Sequence, residues 1–433
     1  MKSFYIKTLG CKVNQYEAQV IRENFIRQGY VESEDLDKAD ICVVNTCTVT
    51  STSDSKSFRL VHNALKKDKC VVVTGCLVED KDLDLSRLRG VGYIVRNRDK
   101  HRIPEIIEPS AIPPKALGFA ERRARPRQLL LAGSLSAKIS GLKGHTRVFV
   151  KIQDGCNNRC SYCKVRVVRG RSRSRPFKEI ISECKDLIKS GTKEIVLTGI
   201  CLGAYGRDVS KDMDLSKLVA ELCKIQGQWR LRLSSIEPKD VTTDLIAQLK
   251  KQKKLCRHLH IPFQSGDDYI LKRMRRPYKR QDYLDIVHRL KQVDPDIAIS
   301  TDIMVGFPGE TEERFQNTVD FINVVMPMRV HIFPFSKRKG TPAYDYKDDI
   351  DILVKRDREN RLTAVTKELT QEFVNKFIGK DVEVLVESKK TKDGHLQGYT
   401  DRYIKVYIEG PDTLIGKLIQ RDLSFSAGWV GHS

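Results

Sequence analysis

Segments with strand periodicity and segments with helix periodicity alternate through most of this chain of 433 residues. In the central part, the candidate strands are 147–153, 194–198, 230–234, 258–263, 298–305 and 329–335, with amphipathic helices such as 179–190 and 280–293 between most of them. Such alternation predicts parallel strands with helices packed against the sheet. Six strand–helix units are fewer than the eight of a closed barrel, so we expect a partial (β/α)6 barrel that is open on one side.

Three cysteines with the spacing Cys-x3-Cys-x2-Cys follow the first of these strands: Cys156, Cys160 and Cys163. Three thiolates on one short loop can bind three irons of a cubane cluster and leave the fourth iron open for a cofactor. A zinc site is the alternative, but the next cysteine, Cys184, lies about twenty residues away in a helical pattern. The spacing favours a [4Fe–4S] cluster and resembles the motif of radical S-adenosylmethionine enzymes.

The N-terminal part repeats the alternation on a smaller scale, with candidate strands at 4–9, 41–45, 70–74 and 93–96. Helical patterns at 14–28 and 53–67 complete a Rossmann-like parallel α/β domain. Cys11, Cys47 and Cys76 each follow one of the first three strands, so parallel strands would bring their thiols to one edge as a second cluster site. Cys42 and Cys70 lie in the apolar runs and are interpreted as core residues.

The segments outside these two α/β regions differ from them in composition and periodicity. Proline, arginine and glycine residues at 108–144 predict an exposed linker with a possible short strand at 128–131. Short strand patterns at 382–387, 403–409 and 413–420 predict a small C-terminal β-barrel. The predicted organisation is an N-terminal domain at 1–107, the linker, a core at 145–368 and a C-terminal domain at 369–433.

The composition points to a polyanionic partner. Lys and Arg outnumber Asp and Glu by 78 to 56, which gives a net charge of +22, and nucleic acid is the leading candidate. No apolar run approaches the length of a membrane span, and the first residues read as a strand, so we expect a cytoplasmic protein. The twelve cysteines are too sparse and too unevenly clustered for a disulfide framework.

Over nearly its whole length the chain resembles the methylthiotransferase family of radical S-adenosylmethionine enzymes. Segments 9–17 and 45–50 are similar to the auxiliary-cluster domain of that family. Segments 153–156, 258–266 and 301–310 are similar to its core, and segments 398–400 and 403–406 are similar to its TRAM domain, an RNA-binding β-barrel.

The resemblance implies two [4Fe–4S] clusters with different tasks. The central three-cysteine loop would bind S-adenosylmethionine at its open iron, and reductive cleavage would give a 5′-deoxyadenosyl radical. The N-terminal cysteines would hold the sulfur that is transferred to C2 of an adenine ring. The segments at 9–15 and 156–163 look most like the branch that acts on N6-threonylcarbamoyladenosine at position 37 of tRNA. Isopentenyladenosine in tRNA and an aspartate of a ribosomal protein are the alternative substrates of the family.

The resemblance also implies partners and further site residues. The partners are the anticodon stem-loop of tRNA, a reductant protein and an unidentified sulfur donor, and the protein is expected to be a monomer. The candidate S-adenosylmethionine contacts at strand ends are Gly199, Glu237, Gln264 and Ser265, each of which could equally be a structural turn or cap. Cys201 is interpreted as an unligated cysteine of the pocket wall.

Two basic runs beside the predicted opening are candidates for a phosphate track. They are Arg169, Arg171, Arg173 and Arg175, and then Arg273, Arg275, Arg276, Lys279 and Arg280. A charge run is often only a solvated face, but two such runs in a chain of +22 favour RNA contacts. A non-enzymatic iron–sulfur protein that binds RNA is the alternative, and it predicts no cleavage of S-adenosylmethionine.

Overall fold

The chain folds into three units that pack on one another. A computed structural model describes residues 2–107 and 138–423, apart from 49, 68, 83, 348 and 349. Most of the predicted linker 108–144, including the possible strand at 128–131, lies outside the described residues. Within the described ranges, every helix is too short or too polar to span a lipid bilayer.

The N-terminal unit is a five-stranded parallel sheet in the order β2-β1-β3-β4-β5. Its strands are β1 (Ser3–Thr8), β2 (Val31–Glu32), β3 (Ile41–Thr46), β4 (Cys70–Gly75) and β5 (Tyr93–Ile94), and its helices are α1 (Lys12–Arg27), α2 (Ser51–Leu65) and α3 (Ile103–Ile106). Alternate residues of β3 pack on opposite faces: Val43 lies with Phe25 of α1, and Val44 lies with Phe58 of α2. The predicted parallel α/β domain is confirmed.

The central unit is a curved parallel sheet of six strands. These are β6 (Arg147–Lys151), β9 (Glu194–Thr198), β10 (Arg230–Leu233), β11 (His258–His260), β12 (Ala298–Val305) and β13 (Arg329–Pro334). Two backbone bridges, from Leu231 to Leu255 and from Ser235 to His260, join its two halves. The short strands β7 (Gln153–Asp154) and β8 (Arg173–Ser174) pair antiparallel above β6. This arrangement confirms the partial (β/α)6 barrel.

Helices cover the outer face of this sheet. They are α5 (Phe177–Lys189), α6 (Leu215–Cys223), α7 (Thr243–Lys251), α8 (Asp268–Arg273), α9 (Arg280–Val293), α10 (Glu312–Val325) and α11 (Ile352–Asn375). The short α4 (Val165–Arg169) instead follows Cys163 and contacts the N-terminal unit. Leu259, Ile299 and Val330 point to the outer face and belong to one large core with residues of the helices. The neighbouring residues on the same strands therefore face the barrel interior.

The C-terminal unit is an antiparallel sheet in the order β16-β15-β14-β17. Its strands are β14 (Asp381–Lys390), β15 (Leu396–Thr400), β16 (Lys405–Ile408) and β17 (Leu418–Asp422). Sequence patterns missed β15, because Gly398 lies in its middle, where a Cβ would come within 2.5 Å of Val384 Cγ1. The predicted strand at 403–409 begins later, since Tyr403 has a positive φ of 67° in the turn before β16.

The C-terminal unit packs on the amino ends of the barrel strands. Its core includes Ala298, the first residue of β12, and Met328, which precedes β13. Arg230 Nη2 donates to the Tyr399 carbonyl at 2.7 Å, and Arg232 Nη2 donates to the Thr400 carbonyl at 2.9 Å. The N-terminal unit instead lies beside β6, where Tyr16 and Val20 of α1 join the barrel core. The open side of the barrel is thus next to α1.

Candidate active site

The loop with three cysteines is closed at its base by backbone contacts. The Cys156 amide donates to the Gly170 carbonyl at 3.1 Å. Gly155 has a φ of 71°, and a Cβ at this position would lie 2.0 Å from the Arg171 carbonyl oxygen. Farther along, Ser161 Oγ donates to the Arg273 carbonyl at 2.8 Å. The loop therefore holds its three thiols in place at the carboxyl end of the first barrel strand.

The thiols of this loop interact with one another electrostatically and differ in acidity. A hydrogen bond from the Cys201 thiol lowers the pKa of Cys156 to about 7. Burial, together with the nearby Cys160 and Cys156, raises the pKa of Cys163 to about 12. Burial also raises the pKa of Cys160, although Arg276 Nη1 donates to its sulfur at 3.4 Å. Since metal binding requires thiolates, such a buried donor set is suited to a cationic metal centre that compensates their charges.

A second set of three thiols lies at the edge of the N-terminal sheet. Cys11, Cys47 and Cys76 follow β1, β3 and β4, which are neighbours in the sheet. A Cβ on Gly10 would lie 2.9 Å from Cys47 Sγ, so this turn requires glycine. Burial raises the pKa of Cys76 to about 11, and the proximity of Cys11 and Cys47 adds to this effect. The structure thus brings the three thiols together, while Cys42 is buried in the core as expected.

One buried arginine links the N-terminal thiol set to Asp154, just before the central cysteine loop. Arg169 ends α4, just after the central cysteine loop, and its Nε donates to Cys76 Sγ at 3.2 Å. Its Nη1 contacts Glu17 Oε1 at 3.0 Å and Asp154 Oδ1 at 3.1 Å. Lys151 Nζ pairs with the same carboxylates at 2.6 and 2.7 Å, and Lys100 pairs with Glu17. These buried ion pairs hold the N-terminal sheet against the barrel.

Several arginines of the predicted phosphate track are buried in ion pairs, so the prediction is wrong for them. Arg169 is 6% exposed, and Arg175 is fully buried against Glu183 at 2.7 Å. Arg276 is 7% exposed and pairs with Glu237 at 2.7 Å. Glu17 lies 152 residues from Arg169, and Glu237 lies 39 residues from Arg276, so a local charge pattern could not reveal these two pairs. Arg171 and Arg173 are exposed and stay candidates for RNA contacts.

The four candidate cofactor contacts lie at strand ends but have different surroundings. Glu237 accepts from Tyr278 Oη at 2.5 Å and pairs with Arg276, which also contacts Cys160. Gln264 has a φ of 71°, and its buried Oε1 lacks a hydrogen-bond partner among the described residues. Ser265 Oγ accepts from the Asp267 amide at 3.2 Å, which is a capping role.

Gly199 packs closely against the first barrel strand. A Cβ at this position would come within 2.9 Å of Gln153 Oε1, so local packing alone explains the glycine. Gln153 Oε1 also accepts from the Cys201 amide at 2.8 Å. A cleft that opens to solvent lies beside the cysteine loop, and Asn157, Cys201 and Lys239 line part of it. Cys201 therefore lies in the wall of this cleft.

Comparisons with known proteins agree with this architecture. The families described as "Uncharacterized protein family UPF0004", "Radical SAM superfamily" and "TRAM domain" match residues 3–95, 150–322 and 375–420. A radical S-adenosylmethionine methyltransferase from Kitasatospora setae superposes with a TM-score of 0.56 over 79% of this chain and 75% of its own, at 15% identity. The fold and the three-thiol loop thus define a radical S-adenosylmethionine domain with two appended units.

Relatives that match over nearly the whole chain identify the family within this class. The threonylcarbamoyladenosine tRNA methylthiotransferase MtaB of Bacillus subtilis is 37% identical over 97% of this chain and 93% of its own. The tRNA-2-methylthio-N(6)-dimethylallyladenosine synthase of Clostridium tetani is 35% identical over 98% of this chain and 95% of its own. The chain belongs to the family of radical S-adenosylmethionine tRNA methylthiotransferases.

Proposed function

We propose that this protein methylthiolates C2 of N6-threonylcarbamoyladenosine at position 37 of tRNA, giving 2-methylthio-N6-threonylcarbamoyladenosine. The observation that carries the proposal is the presence of two three-thiol sites, with Arg169 linking Cys76 of one site to Asp154 beside the other. Sulfur insertion at an unactivated aromatic carbon needs a radical source and a sulfur carrier side by side. Relatives from Bacillus subtilis and Thermotoga maritima, each 37% identical, are named for this modification.

Each thiol set would hold one [4Fe–4S] cluster, the first on Cys156, Cys160 and Cys163 and the second on Cys11, Cys47 and Cys76. When bound, these clusters and S-adenosylmethionine supply the radical and the sulfur, and the protein supplies their placement. Arg276 donates to Cys160 and Arg169 donates to Cys76, which fixes one sulfur of each set. The buried thiols Cys47 and Cys76 lie away from bulk water.

We propose that S-adenosylmethionine contacts Gly199, Glu237, Gln264 and Ser265. The structural support differs among these four residues. Gln264 is the strongest, because a buried amide oxygen without a partner among the described residues is costly unless a ligand satisfies it. Glu237 is held by Arg276 and Tyr278 at the cysteine loop and can accept from a cofactor amine. Gly199 and Ser265 have structural roles that explain them already.

The partners follow from charge and from the relatives. A surplus of 22 positive charges, the exposed Arg171 and Arg173 and the TRAM unit suit the anticodon stem-loop of tRNA. We also propose a reductant protein, a separate sulfur donor, a monomeric state and a cytoplasmic location, where tRNA is modified. The division into 1–107, 108–144, 145–368 and 369–433 is part of the same proposal.

The test of the function is mass spectrometry of tRNA nucleosides from cells with and without this protein. We expect 2-methylthio-N6-threonylcarbamoyladenosine to disappear without it and its unmethylthiolated precursor to accumulate. Loss of a methylthiolated isopentenyladenosine instead would support the runner-up substrate, which relatives at 35% identity are named for. Methylthiolation of a ribosomal-protein aspartate is disfavoured, because such a substrate does not need so basic a protein.

The test of the sites is iron content after anaerobic reconstitution. We expect about eight irons per chain, and about four after the triple alanine variant of Cys156, Cys160 and Cys163. This variant should no longer cleave S-adenosylmethionine. The triple alanine variant of Cys11, Cys47 and Cys76 should also hold about four irons but should still release 5′-deoxyadenosine. Full iron loading in either variant contradicts the assignment.

A further inference from the structure

The barrel interior carries polar side chains that cluster binding does not use. On β11, β12 and β13 the residues opposite the apolar core face are His258, His260, Ser300, Asp302, Arg329 and His331. One ligand atom each of His260, Asp302 and His331 lie within 4.8 Å of one another. Both ring nitrogens of His260 already have protein partners, Ser300 Oγ at 2.9 Å and Asp302 Oδ2 at 3.2 Å. Hydrogen bonding therefore explains His260 and Asp302 without a metal ion.

Two cations in this interior form no salt bridge with any of the described residues. Lys12 and Arg329 are half-buried, and neither side chain has a hydrogen bond or an ion pair within that part of the chain. The guanidinium carbon of Arg329 lies 5.8 Å from the centre of the Tyr403 ring. Burial would raise the pKa of Tyr403, but nearby cations, first Arg147 and then Lys12, lower it. Lys12 and Arg329 therefore face the same region of the interior.

The other charges around this region are matched. Arg147 pairs with Glu387 at 2.7 Å, and Arg232 pairs with Glu194 at 2.8 Å. Asp302 is engaged by His260, and partial burial of the ring lowers the pKa of His331, although Asp302 raises it. Asp302 offsets part of the Lys12 charge, since Lys12 lowers its pKa. Neither Lys12 nor Arg329 forms a salt bridge within the described residues, so both remain available to an anionic ligand, which would lower the cost of their partial burial.

The position of Lys12 in the chain places it next to the N-terminal thiol set. It is the first residue of α1 and directly follows Cys11, one of the three N-terminal thiols. The adenine that receives sulfur would lie between the two thiol sets, and Lys12 is adjacent in the chain to one of these thiols. The threonylcarbamoyl group ends in a carboxylate, whereas a dimethylallyl group is uncharged and apolar.

We propose that Lys12 and Arg329 bind the carboxylate of the N6-threonylcarbamoyl group and thereby select this substrate over adenosines with apolar N6 substituents. The inference rests on the proposed function and names the residues that set its specificity. Charge-assisted hydrogen bonds to a carboxylate are among the strong polar contacts, and a guanidinium can make two of them. His331, exposed beside Asp302, is placed to contact the hydroxyl of the same group.

The first experiment leaves the protein unchanged and alters the RNA. The reconstituted full-length enzyme is titrated with anticodon stem-loops that carry threonylcarbamoyladenosine, its methyl ester, dimethylallyladenosine or unmodified adenosine. Fluorescence anisotropy measures the dissociation constants. We expect the free acid to bind about tenfold or more tightly than the ester and the dimethylallyl RNA. Equal binding of acid and ester overturns the inference even if nucleoside analysis confirms the modification.

The second experiment changes the two cations. Lys12→Met and Arg329→Met should each reduce the preference for acid over ester about tenfold, with unchanged affinity for the unmodified stem-loop. Lys185→Met and Arg289→Met, both at exposed helical positions, are the matched controls and should keep the preference. A preference that survives the double variant overturns the inference, as does an equal loss of affinity for every RNA. Tighter binding of the dimethylallyl RNA by the unchanged enzyme, with its methylthiolation in the nucleoside analysis, contradicts the proposed function itself.

Discussion

Replacement of Arg169 by methionine tests whether the two thiol sites depend on one buried ion-pair network. Arg169 makes contacts with Cys76, Glu17, Asp154 and Asn14 at 2.5 to 3.2 Å. Removing one partner of a buried pair typically costs about 3–5 kcal/mol of unfolding free energy. Lys100 and Lys151 would still neutralise Glu17, so we expect a loss of about 3 kcal/mol, at the lower end of this range.

The assay is differential scanning calorimetry of the apo-protein and of the reconstituted protein. For a unit of this size, about 3 kcal/mol corresponds to a fall in melting temperature of roughly 6–12 °C. Arg171→Met is the matched control, because this exposed residue is two positions away and should change stability by less than about 0.5 kcal/mol. Arg169→Lys should recover only part of the loss, since an ammonium lacks the fork of the guanidinium. A melting temperature of Arg169→Met within about 1 °C of the wild type would refute the reasoning.

Three further predictions concern separate features. Burial alone would raise the pKa of Glu194, but Arg232 and Arg230 lower it well below its ordinary value. The ionised Glu194 carboxylate therefore stabilises the fold, and this stabilisation is lost on acidification. The difference in unfolding free energy between wild type and Glu194→Gln, measured in urea, should therefore shrink between about pH 6 and about pH 3. Neutralising Arg171 and Arg173 should lower the log–log salt slope of tRNA binding by roughly one for each lost phosphate contact, whereas an unchanged slope would place the RNA surface elsewhere. Cys201→Ala should keep the full iron content, and loss of about four irons would make this cysteine a ligand.

The features that depend on hydrophobic periodicity could be predicted from the sequence. Each barrel strand has a buried apolar face, and Cys11, Cys47 and Cys76 follow adjacent strands, so their convergence was predictable from the parallel topology. The two-residue strand Val31–Glu32 is too short to give a pattern, and Gly398 masks the strand in which it lies.

Buried ion pairs were not predictable. Arg169 and Arg175 belong to an alternating basic run that is typical of a solvated face, yet their carboxylate partners come from α1 and α5. Lys12 and Arg329 are about three hundred residues apart in the chain, and only the docking of α1 beside the open barrel brings them to one region. The Arg169–Glu17 pair and the proximity of Lys12 to Arg329 depend on how the units pack, which no local pattern encodes.

The helix α1 has a consequence for how such proteins can diverge. Its first residue follows a thiol of one site, while Tyr16 Oη and Glu17 bind residues of the barrel. A change in the length or orientation of this helix during evolution would change the distance between the two metal sites. It would also break the contacts of α1 with Arg169 and Lys151. Exchange of the N-terminal unit between distant relatives should therefore fail unless both sides of this junction are transplanted as a matched pair.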